Sequence, residues 1–205
     1  MALVTPYRRT RDYRRWKQAG RPAPPPHFVK QRIIRSYAKR SGLKVLIETG
    51  TYLGDMVQAT RGLFREIHSI ELSADLYARA IARFRNANKI HLYQGDSAVV
   101  LPQILQTMAE PCLFWLDGHY SAGITAKGDR ETPVMDELRS IFNSWRVEHV
   151  ILIDDARCFD GTNEYPSLED LKTFVDSRQP GLAFEVKDDV VRIHAPAVLT
   201  TPAQP

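Results

Sequence analysis

From residue 44 onward, short β-branched apolar runs alternate with stretches of helical periodicity, and this alternation constrains the architecture more than any other feature of the chain. Runs at 44–47, 67–70, 90–93, 112–116 and 150–153 are separated by helical patterns at 54–64, 74–86, 98–108 and 132–145, with a further one at 167–177. That is the pattern of a parallel sheet covered by helices on both faces. Two last runs, 182–186 and 190–194, are separated only by Lys187, Asp188 and Asp189. Three residues cannot make a crossover, so these strands form an antiparallel hairpin. The expected fold class is α/β: a doubly wound, mostly parallel sheet with a C-terminal antiparallel hairpin. A length of 205 residues suffices for one such domain and leaves little for a second.

The charge is distributed unevenly. Residues 1–44 hold 13 of the 28 Lys and Arg and a single acid, Asp12, a balance of +12, which leaves the other 161 residues at −8. A basic arm on an acidic domain is expected to meet an anionic partner, either a membrane surface or nucleic acid. Pro22 and Pro24-Pro25-Pro26 break any helix, and a second helical pattern runs from 27 to 40 until Gly42. The expected organisation is therefore a flexible, proline-rich arm at 1–26, a folded domain at 27–195 and a disordered tail at 196–205. The apolar runs fall far short of the ~20 residues a transmembrane helix needs. The N-terminus does not read as a secretory signal, and Cys112 and Cys158 read as free thiols. A cytoplasmic protein, peripheral at the membrane if the arm docks there, is the expectation.

The first strand run leads into Glu48-Thr49-Gly50-Thr51-Tyr52-Leu53-Gly54 at the start of a helix. Glycines there permit a tight turn and close backbone approach to a ligand, although the second glycine of G-x-G-x-x-G is missing. Glu71 ends the second run 21 residues after Gly50, where a carboxylate binds ribose hydroxyls in dinucleotide folds; the plainer role is an acid near a helix start. Gly95-Asp96-Ser97 closes the third run. Asp96 or Ser97 either caps the next helix or accepts a hydrogen bond from an adenine amino group.

Glu48-x-Gly50-x-x-x-Gly54, then Glu71, then Gly95-Asp96-Ser97, with a terminal hairpin, resembles the class I S-adenosylmethionine-dependent methyltransferases, a Rossmann-like fold, over about residues 28–194. The resemblance implies that Glu48, Gly50 and Gly54 shape the methionine-side loop, with Thr49 and Thr51 between them. It also implies that Glu71 binds the ribose, that Asp96 and Ser97 flank the adenine, and that Asp117 completes the cofactor set.

Leu116-Asp117-Gly118-His119-Tyr120 and Ile153-Asp154-Asp155-Ala156-Arg157 end the next two runs. Asp117, Asp154 and Asp155 thus emerge on adjacent strand ends, where they repel one another unless a cation or protons intervene. Oxygen ligands of this kind suit Mg²⁺ or Ca²⁺; the alternative is that each caps a local turn. These strand ends are similar to those of the macrocin-type sugar O-methyltransferases, which implies a magnesium ion on Asp117, Asp154 and Asp155, holding two neighbouring acceptor oxygens. His119 stands where such enzymes often carry an acid. Either His119, whose ordinary pKa is ~6.5, or Asp117 receives the acceptor proton, and a structural imidazole is the other reading of His119. Residues 120–133 form a polar, glycine-containing stretch over the site, and Tyr165 walls the acceptor pocket. The remaining histidines lack metal-ligand spacing, which disfavours zinc. The expected function is O-methylation of a small, sugar-containing acceptor. The rivals are an RNA methyltransferase gripping phosphates with the arm, and a non-catalytic cofactor-binding protein of the same fold.

Overall fold

Val45–Thr49 (β1) is buried along its whole length, with Val45 and Ile47 packing on one face of the sheet and Leu46 on the other. Such a strand is stable only between two apolar layers. The computed structural model describes residues 6–118, 132–144 and 148–200. Glu66–Glu71 (β2), Ile90–Gln94 (β3), Cys112–Leu116 (β4) and Val150–Ile153 (β5) join β1 in parallel. Ala183–Lys187 (β6) and Val190–His194 (β7) form the expected hairpin. Its turn residues Asp188 and Asp189 have φ of 52° and 62°, the left-handed pair that matches the twist of a two-residue hairpin. The strand order is β3-β2-β1-β4-β5-β7-β6, so the strand made last lies inside the sheet, antiparallel to β5.

His27–Ser41 (α2), Asp55–Thr60 (α3) and Ala74–Phe84 (α4) cover the Leu46 face, and Ser97–Thr107 (α5), Val134–Asn143 (α6) and Leu168–Arg178 (α7) cover the Ile47 face. Side-chain oxygens of Ser73, Asp96 and Ser167 cap α4, α5 and α7, satisfying amides that helix starts leave open. The chain turns left from β1 to β2 and β3, then returns to the right with β4 and β5. At that reversal the carboxyl ends of β1 and β4 pass into loops, and ligands bind at such points in open α/β sheets.

The N-terminal arm is more ordered than its composition suggests. Pro6–Gln18 (α1) is helical, and Trp16 is only 6% exposed. Tyr13 lies between Trp16 and Phe28, at ring-centroid distances of 6.0 Å and 6.4 Å. The Trp16 indole N–H donates to the carbonyl of Pro22 at 2.9 Å. These aromatic contacts outweigh the mutual repulsion of the basic residues, which point to solvent at Arg11, Arg14 and Arg15. In the expected tail, Ala197–Thr200 (α8) forms a helical turn. Because Trp16 both packs and donates a hydrogen bond, Trp16→Ala is expected to lower the unfolding free energy by about 3–5 kcal/mol in urea denaturation.

Candidate active site

The loop after β1 is held by a chain of buried polar groups. Thr51 Oγ1 lies 2.6 Å from Ser69 Oγ, and Ser69 Oγ donates to Glu48 Oε2 at 2.5 Å. Glu48 is 1% exposed, and burial pushes its carboxyl up to about 8; the Ser69 hydrogen bond opposes this and the Glu71 charge adds to it. Gly50 has φ +84°, and a Cβ there would lie 2.4 Å from the Asp117 carbonyl oxygen. Only glycine lets the β1 loop press this closely on the end of β4. The Asp117 amide donates to the Thr49 carbonyl at 3.1 Å, which fixes where the Asp117 side chain begins.

Glu71 binds the same loop from β2. Its Oε2 accepts the Tyr52 amide at 2.7 Å and its Oε1 accepts the Ser73 amide at 2.9 Å. Burial raises its pKa, while the Ser73 and Tyr52 amides oppose the rise. Each carboxylate oxygen has two acceptor sites, so these bonds, with a further one from the Leu72 amide, leave capacity for a ligand hydroxyl. Exposed Tyr52 and Leu53 provide apolar surface beside it. A ribose with an apolar neighbour fits this arrangement.

Other residues expected at the cofactor serve the frame. Asp96 Oδ1 accepts the Ala98 amide at 2.8 Å as the cap of α5. Thr49 is fully buried, and Ser97 Oγ donates to Glu137 Oε1 at 2.6 Å. A Cβ on Gly54 would meet the Phe84 ring at 2.7 Å, so that glycine permits α3 to pack on α4.

Asp117, Asp154 and Asp155 come together, each offering a carboxylate oxygen within 4.8 Å of the others. Asp154 Oδ1 accepts the Asp155 amide at 2.8 Å. Asp155 adopts φ 55°, a left-handed conformation that Asp tolerates better than most residues, and Arg157 donates to its Oδ1 at 2.7 Å. The cluster also contains a residue that the motifs did not reveal. Lys30, from α2, places its Nζ 2.5 Å from Asp154 Oδ2 and 3.1 Å from Asp155 Oδ1. Burial disfavours its charge, but the Asp154 and Asp155 carboxylates more than offset that and its pKa is raised. The donor atoms suit a hard divalent ion. A lysine ammonium already between two of the three acids does not, so the cluster as arranged does not fit a resident metal.

Burial, then the Asp154 charge, hold the Asp117 carboxyl well above the usual range, with Lys30 pulling the other way. Burial raises Asp154 to about 6 against the opposing pull of Lys30. Beside them a pocket is lined by Asp117, Thr132, Glu137, Asp154, Phe159 and Tyr165. Tyr165, expected at the acceptor, is among the residues that line it. Glu137, from α6, is 1% exposed and raised by burial to about 7, against hydrogen bonds from Ser97 and Thr49. It was not singled out in the sequence because its position reads as an ordinary first-turn acid. His119 and most of the expected lid, 120–131, lie outside the described residues.

No family model and no curated protein sequence matches the chain. Among solved structures, the O-methyltransferase from Bacillus cereus in complex with SAH aligns at a TM-score of 0.60 and 16% identity, covering 90% of this chain and 89% of that one. TomG of Streptomyces achromogenes, an O-methyltransferase involved in tomaymycin synthesis and solved with SAM, aligns at 0.59 and 11%, covering 81% and 78%. The N-methyltransferase NodS of Bradyrhizobium japonicum, in complex with S-adenosyl-L-homocysteine, aligns at 0.52 and 14%, covering 82% and 86%. The chain has the class I methyltransferase fold. That the neighbours of this fold include both O- and N-methyltransferases leaves the acceptor to be argued from the pocket.

The buried acids make this fold sensitive to base. Glu48 is raised when folded, from 4.5 to about 8, so the stability of its neutral form is fully present below pH 4.5 and is lost as pH rises through about 8. Glu48→Gln keeps the shape and cannot ionise. Its unfolding free energy relative to wild type, measured by urea denaturation, is expected to rise between pH 5 and pH 9, by an amount bounded at about 1.4 kcal/mol for each pKa unit.

Proposed function

We propose that this protein transfers a methyl group from S-adenosylmethionine to a hydroxyl oxygen of a small acceptor. One observation carries the reading: Glu71, with free acceptor capacity, and the pocket containing Asp117 and Asp154 stand on the same sheet edge, on either side of the β1–β4 reversal. When bound, S-adenosylmethionine supplies an activated methyl group on a sulfonium. Glu71 accepts a hydrogen bond from a ribose hydroxyl, and the β1 loop held by Glu48 and Ser69 lies beneath the methionine portion. The pocket orients the acceptor in line with the methyl group, and most of the rate enhancement comes from that alignment. Asp117 receives the hydroxyl proton. Its raised pKa makes it a stronger base than an ordinary aspartate once ionised, and the cost is that a smaller fraction is ionised at neutral pH.

The acceptor we propose is a polyol such as a sugar. Asp117, Asp154 and Tyr165 suit neighbouring hydroxyls, and Phe159 suits an apolar ring face. A second reading, favoured by the +12 charge of residues 1–44, has RNA as the acceptor, with affinity that falls steeply with salt.

Calorimetric titration with S-adenosylhomocysteine tests the donor site. Wild type is expected to bind, and Glu71→Ala to bind at least about tenfold more weakly with its circular dichroism unchanged. Absence of binding by folded wild type rejects the reading. For the acceptor side, Asp117→Asn is expected to lower kcat by about 100-fold or more in a methyl-transfer assay at saturating donor.

A further inference from the structure

We propose that Lys30 is the resident cation of the Asp117, Asp154 and Asp155 cluster, taking the place of a divalent metal and excluding one. The inference uses the reading above only for its catalytic part, since the occupancy of the cluster is measurable by itself.

The lysine is fixed by the fold. Val29, Ile33 and Ile34 on α2 are buried in the core, which anchors that helix against the sheet. Gln31, also buried, pairs with His27 at 3.0 Å one helical turn away. Lys30 is therefore carried on a rigid turn, and its side chain is 13% exposed. The acids are fixed as well. Asp154 keeps Oδ1 on the Asp155 amide, which directs Oδ2 to the ammonium, and its side chain is fully buried. Asp155 is held by its left-handed backbone and by Arg157, which also pairs with Asp189 in the hairpin turn. An ordered lysine between ordered carboxylates differs from a surface ion pair, whose ends are mobile and screened.

Coordination chemistry makes the two occupants exclusive. A magnesium ion needs close to octahedral oxygen coordination at about 2.0–2.1 Å, and a calcium ion 6–8 oxygens at about 2.3–2.6 Å. Two of the carboxylate oxygens that would provide it, Asp154 Oδ2 and Asp155 Oδ1, converge instead on Nζ. An ammonium has three N–H donors, and contacts to Asp154 and Asp155 account for two. Lys30 thus supplies the positive charge that a divalent ion would bring to the cluster, and the reaction needs no such ion.

The test compares wild type with Lys30→Met, which retains much of the apolar stem and removes the charge. Manganese binding is followed by electron paramagnetic resonance, and folding by circular dichroism. Wild type is expected to show no stoichiometric Mn²⁺ site, and its methyl transfer to be unaffected by chelator. Lys30→Met is expected to bind Mn²⁺ at least about tenfold more tightly, because removing the ammonium takes one of the two cations paired with the cluster away and leaves Arg157 on Asp155 alone. Its activity should fall in chelator and recover on adding Mn²⁺, a response that lost packing would not produce. Adding Asp154→Asn to Lys30→Met should abolish the gained site. A readout on wild type alone guards against misfolding of the variant: under reductive methylation read by mass spectrometry, Lys30 should react several-fold more slowly than exposed Lys187, with or without Mn²⁺. Tight Mn²⁺ binding by wild type, failure of a folded Lys30→Met to gain it, or Lys30 labelling as fast as Lys187 each overturns the assignment. Failure to bind S-adenosylhomocysteine would instead reject the methyl-transfer reading and leave this one standing.

Discussion

Negative charge buried along one edge of a sheet is the constraint to which much of the fold answers. Glu48, Glu71, Glu137, Asp154 and Asp155 are all buried at or beside the carboxyl ends of the parallel strands, and Asp117 stands half-buried among them. Carboxylates removed from water cost several kcal/mol each unless they are protonated, hydrogen-bonded or paired with a cation. The chain uses all three. Ser69 and Ser97 donate to Glu48 and Glu137, backbone amides hold Glu71, and Lys30 and Arg157 face the aspartates. Each solution recruits a different element, so α2, the β1 loop, α6 and the C-terminal hairpin all converge on this edge.

The parts of this arrangement that were legible in the sequence are those with local signatures. The strands were readable because strands buried on both faces are short continuous apolar runs, and the hairpin because only three residues separate its halves. The three aspartates could be grouped because each ends a strand on the same edge. Lys30 could not be grouped with them. It lies 124 residues before Asp154, in a helix whose basic residues mostly face solvent, and no local pattern separates it from its neighbours. Glu137 was hidden for a related reason: only packing of α6 against α5 distinguishes a buried first-turn acid from a solvated one. The burial of Trp16 has no such local signature either. The surrounding arginines suggest a solvated arm, while Tyr13 and Trp16, three residues apart on one helical face, bury it.

Similarity of fold carries less information here than the contents of the edge. Structures that share the fold at 11–16% identity include enzymes that methylate oxygen and enzymes that methylate nitrogen. What separates chemistries on such a scaffold is the set of groups beyond β4 and β5, and in this chain that set pairs acids with a lysine contributed from the other end of the sequence.

The placement of β7 between β5 and β6 has a consequence for how the molecule is made. During synthesis, β5 and its four parallel partners are complete long before residue 190 leaves the ribosome. Until then β5 presents an open row of amides and carbonyls, the kind of edge that recruits strands from other chains. The same late strand follows Asp189, whose carboxylate holds Arg157 beside Asp155. Closure of the sheet and completion of the charge network are thus one event, which waits for residues 189–194. A ribosome that stalls just short of them releases a chain with an adhesive edge and an unbalanced pocket together.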